Sequence, residues 1–123
     1  MYDLNASNSS AYIDKTLFDD WLTACKMLGL NQTQAMIMAV TLYRSSPPWG
    51  DGVAESGDRP KSPNLHIAVP GIIGLWIMQI QHSMTVNRLA KNNTIKATKS
   101  DVFRAVLVNF INRVNDNTLL SGK

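Results

Sequence analysis

The sequence predicts a mainly α-helical fold with a short two-stranded antiparallel β-ribbon, and three observations predict it. Two brief stretches, residues 9–13 and 64–69, alternate apolar and polar side chains as half-buried strands do. Each is followed by two segments whose apolar residues recur at helical spacing. Between these strand-helix-helix units, residues 45–63 hold four of the five prolines and three of the seven glycines, the composition of a linker.

In the first unit, residues 1–44, Ala11 and Ile13 face one way along the strand while Ser10 and Tyr12 face the other. Asp14 or Thr16 can cap a helix carrying Leu17, Phe18, Trp21, Leu22, Cys25 and Leu28, and Gly29 stops it. Asn31 or Thr33 caps the next helix, which shows Met36, Ala39, Val40 and Tyr43 along one stripe and ends before Ser45-Ser46-Pro47-Pro48. In the second unit, residues 64–118, Leu65, Ile67 and Val69 share one face of the strand, and Asn64, His66 and Ala68 share the other. Pro70 suits the first turn of a helix of about 22 residues with Ile72, Ile73, Trp76, Ile77, Ile80 and Met84 on its apolar side, ended by Asn92-Asn93. The last helix begins near Thr98 with Asp101 as a capping-box-like acid, and carries Val102, Ala105, Val106, Asn109, Phe110 and Val114. Residues 119–123 form a tail. Ala39-Val40 aligns with Ala105-Val106 at a spacing of 66, so the second unit reads as a degenerate tandem copy of the first.

A unit of about 40 residues rarely stabilises itself alone, so pairing is required. Two arrangements satisfy it: the two strands pair within one chain as an intramolecular pseudo-dimer, or each ribbon pairs with its symmetry mate in a homodimer.

Composition narrows the function classes. Cys25, the single cysteine, lies on an apolar helical stripe, so there is no disulfide framework. His66 and His82 are 16 residues apart, and no metal-ligand spacing occurs. Asp19-Asp20 is the only adjacent acid pair, and helical neighbours point about 100° apart, which suits the dipole of a first turn better than a shared site. The expectation is a non-enzyme without cofactor or metal. Gly71-Ile72-Ile73-Gly74 formally matches a Gly-x-x-Gly nucleic-acid loop, but two isoleucines between the glycines suit helix packing instead. The apolar run Val69 to Ile80 is too short for the roughly 20 residues of a membrane span, and Met1 to Ser10 is polar, so the expected location is cytoplasmic. Net charge is +3, but residues 65–123 carry seven basic side chains against Asp101 and Asp116. The cluster Arg88, Lys91, Lys96, Lys99 and Arg104 suits contacts to phosphate.

Strand, helix, break and helix in about 36 residues, with Leu28-Gly29-Leu30-Asn31-Gln32-Thr33 at the break, resembles the ribbon-helix-helix DNA-binding family, whose members commonly carry a Gly-Leu-Ser-like turn there. The resemblance implies a ribbon that enters the major groove of double-stranded DNA with its outward side chains at base edges. By position those readers are Asn8, Ser10 and Tyr12, with Asn64 and His66 on the second strand. It also implies that the amino terminus of each unit's second helix holds a phosphate, at Asn31, Gln32 and Thr33 and at Thr98, Lys99 and Ser100. The first strand departs from the family in offering no positive charge. The resemblance implies sequence-specific DNA binding by a transcriptional repressor or a plasmid or phage accessory protein. A different class also fits the residues, a non-catalytic helical interaction or assembly module such as an inhibitor.

Overall fold

One chain supplies both strands of the ribbon. The computed structural model describes residues 6–53 and 60–117; of residues 6 and 7 it describes the backbone alone. Strand β1 (Ala6–Ala11) pairs antiparallel with β2 (Leu65–Pro70), with Ser10 opposite His66 and Asn8 opposite Ala68. Helices α1 (Lys15–Leu28) and α2 (Gln32–Arg44) follow β1, and α3 (Gly71–Ala90) and α4 (Lys99–Asn115) follow β2. The protein is thus mainly helical with a two-stranded antiparallel sheet. The predicted tail at 119–123 lies outside the described residues.

The first strand begins and ends earlier than its alternation predicts, because its last backbone groups are claimed elsewhere. Tyr12 N–H donates to Ser100 Oγ at 3.0 Å. The Asn64 side chain takes both polar groups of Ile13, accepting from its N–H at 2.9 Å and donating to its C=O at 2.6 Å. The ladder therefore stops at Ala11. Ile13 is fully buried all the same, as its place in the apolar pattern predicts.

Helix boundaries follow local chemistry. Asp14 accepts from Leu17 N–H to open α1, and Gly29, at φ 67°, closes it in the left-handed region that glycine reaches without a Cβ clash. Asn31 with Gln34, and Thr98 with Asp101, form complete capping boxes at α2 and α4. α3 spans 20 residues and ends at Ala90, two positions before Asn92 at φ 62°.

The inner face of the ribbon, Ser9, Ala11, Leu65, Ile67 and Val69, is buried against the helices. The packing crosses between the halves: α1 lies on α4, α3 lies on α2, and α2 and α4 lie on each other. Trp21 and Phe110 meet edge to face with centroids 5.5 Å apart, joining α1 to α4. Arg44 stacks 4.4 Å over the Trp76 ring, joining α2 to α3. The caps Asn31 and Thr98 stand 67 positions apart. On that spacing Ala35, Met36, Ala39 and Val40 match Val102, Phe103, Val106 and Leu107, all buried. On their caps α2 and α4 correspond at an offset of 67 residues, one more than the expected alignment at 66.

The Pro/Gly-rich connection is packed where it is described. Trp49 Nε1 donates to Tyr43 C=O at 2.9 Å while Tyr43 Oη donates to Trp49 C=O at 2.8 Å, a reciprocal staple at the end of α2. Asn87 and Arg88 of α3 then hold the carbonyls of Gly50 and Asp51. Gly52, at φ +73°, passes so close to α3 that a Cβ there would sit 2.9 Å from Met84 Sδ. No described helix is long and apolar enough to cross a membrane.

Candidate nucleic-acid interface

On the outer face of the ribbon Asn8, Ser10 and His66 are exposed and Ala68 is half-buried. Ser10 Oγ and His66 Nδ1, directly opposite in the register, are 3.1 Å apart and hydrogen-bonded. That contact orients the imidazole and leaves Nε2 for a further partner. The face is polar and small-featured, with no acidic side chain on the described strands to repel a polyanion.

Two helix starts are tied directly to this ribbon by the same device. The second residue of each helix uses its hydroxyl on the backbone of the other half: Thr33 Oγ1 donates to Ala68 C=O at 3.3 Å, and Ser100 Oγ accepts from Tyr12 N–H at 3.0 Å. Thr33 and Ser100 are equivalent on the 67-residue offset, and Ala68 and Tyr12 each stand two residues before an N-cap, Pro70 and Asp14. The ribbon is thereby flanked by the positive ends of two helix dipoles. The capping boxes satisfy the amides of Asn31, Gln34, Thr98 and Asp101. Those of Gln32, Thr33, Lys99 and Ser100 lie ahead of the helices' own ladders, where an anion can be bound. Ser100→Ala leaves the Tyr12 amide without its acceptor, and a loss of about 1 kcal/mol is expected in urea unfolding.

Several predicted site residues have other roles. Asn64 does not read outward, because its amide is spent on Ile13. Tyr12 is half-buried beyond the strand end, with its N–H on Ser100 and its C=O accepting from Arg104 at 2.9 Å. Ser100 is buried, and the Thr98 hydroxyl accepts from Asp101 N–H, so both serve the fold through their side chains. Arg88 is buried at 4% exposure: its guanidinium donates to the carbonyls of Asp51, Ile95 and Lys96 and pairs with Asp101 at 3.1 Å. It is no phosphate contact. Arg104 is buried too, against Asp101 and the Tyr12 carbonyl. Lys91 is exposed at the far end of α3 and pairs with Asp51 at 2.9 Å. Of the predicted basic cluster, Lys96 and Lys99 remain exposed beside the α4 start.

Asp101 is the hub that sequence reading reduced to a cap. Burial alone would raise its carboxyl, but the Thr98 N–H and the charges of Arg104 and Arg88 outweigh that and hold it below the usual value. The available signal was an acid three residues before an arginine on an otherwise apolar stretch. Elsewhere, burial pushes the Cys25 thiol up, away from the reactive thiolate. The described residues contain no group of three or more metal-ligating side chains. Comparison with protein-family models, with curated proteins and with solved structures finds no match.

Proposed function

We propose that the protein binds double-stranded DNA in the manner of a ribbon-helix-helix protein, one chain supplying both halves of the unit, and acts by occupying its site without catalysis. The observation that carries this reading is the exposed polar face of an antiparallel ribbon flanked by two capped helix starts. A two-stranded ribbon fits the major groove, where Asn8, Ser10 and His66 would meet base edges. The amides at Gln32-Thr33 and Lys99-Ser100 would hold phosphates on either side, with Lys96 and Lys99 adding charge. Repressor-like regulation and plasmid or phage accessory roles are both served by such occupancy.

The test is a salt-controlled titration of labelled duplex. Each neutralised phosphate contributes a slope of about −0.9 in log K against log salt, so four contacts predict a loss of about a hundredfold between about 50 and 200 mM salt. Lys99→Ala should lower the slope by about one phosphate. Absence of binding to any duplex at low salt removes the proposal.

A further inference from the structure

We infer that the outer face of α3 is a self-association surface, on which two copies of this chain pair antiparallel about His82. On this 20-residue helix Ile73, Ile77, Ile80, Met84 and Arg88 are buried. The opposite side exposes Leu75 at 43%, Met78 at 57%, Val86 at 48% and Leu89 at 53%, with exposed His82 among them. At 100° per residue these five fall within about 80° of the helix surface, along about 21 Å of its axis.

Two features select a second copy as the occupant. First, the stripe has palindromic spacing: Met78 and Val86 stand four residues either side of His82, and Leu75 and Leu89 stand seven. An antiparallel twin therefore places Leu75 against Leu89, Met78 against Val86, and His82 against its own copy, the self-complementarity that a two-fold interface demands. Second, Arg88 is the helix's only ionic side chain apart from its histidine, and it is buried. The helix thus brings no fixed charge of its own to repel its twin; the cations at the edges of the face are engaged, Arg44 against Trp76 and Gln79 and Lys91 with Asp51. The exposed side of α1 contrasts with it, carrying Lys15, Asp19, Asp20 and Lys26. A stripe this short makes a small interface, at the weak end of specific contacts.

The inference is independent of DNA binding and is tested without DNA, by sedimentation of the full chain across the micromolar range. The mass should rise from 13.6 kDa to twice that value and stop. His82→Glu sets two carboxylates on the axis and should keep the chain monomeric with unchanged melting temperature. His82→Leu completes the apolar stripe and should move half-association to about tenfold lower concentration. A wild-type chain that stays monomeric, a dimer that survives His82→Glu, or growth beyond two copies each overturns the inference.

Discussion

Asp101→Asn is expected to lower stability by about 3–5 kcal/mol, because it leaves two buried guanidinium groups facing each other without their shared carboxylate. The replacement keeps the size and shape of the side chain but sets an NH2 group where one carboxylate oxygen accepted, so the loss combines the missing charge with a donor turned on a donor. Arg88 keeps three carbonyl acceptors and Arg104 keeps one, which offsets part of the penalty without neutralising either ion. Against a typical total of about 5–15 kcal/mol, a loss of this size brings the chain close to unfolding, and thermal melting should fall by about 10 °C or more. The pH dependence supplies a second check. The folded carboxyl titrates below its unfolded value, so its contribution is complete above the unfolded value near about 4 and is lost as pH falls through the depressed folded one. The gap in stability between the parent and the Asn variant should therefore close in acid. A gap that persisted at low pH would mean that the carboxylate charge is not what stabilises the network.

If the ribbon reads DNA as proposed, removing its outward side chains together, Asn8→Ala with His66→Ala, is expected to cut affinity for a specific site by about a hundredfold or more. Each good side-chain contact to a base edge discriminates by about 1–3 kcal/mol. Both positions are exposed and the ladder between β1 and β2 is made by backbone, so melting should move little. Affinity for random duplex should hardly change, since it rests on phosphates. An equal loss on specific and random sequences would move these side chains from reading to backbone positioning. Full retention of both would take the ribbon out of the interface.

Most elements of this fold are legible because their causes are local. Gly29 ends α1, Asn31 and Thr98 open α2 and α4, and the alternation Leu65, Ile67, Val69 selects the inner side of β2, each within a few residues of chain. The crossed packing of the halves was one of two arrangements that those patterns allow. Polar side chains were less legible, because their partners lie far off in sequence. Asn64 looked like an outward strand residue and instead satisfies Ile13, 51 positions away. Arg104 looked like surface charge and instead reaches the Tyr12 carbonyl, 92 positions away. The alternation through Tyr12 and Ile13 continued past the true strand end because apolar periodicity says nothing about which group takes a backbone amide.

Periodicity and capping residues act over one or two turns of chain, and they set where the helices lie, which faces are apolar and which helix starts stand ready for an anion. Whether a strand meets the other half of its own chain depends on groups brought together from 35 to 92 positions apart, and whether a basic residue greets a phosphate or a buried aspartate depends on which side chains that assembly encloses. Satisfying buried donors and charges is a property of that assembled interior, and it left Lys96, Lys99 and the ribbon's outer row facing outward while drawing Arg88, Arg104 and Asn64 within.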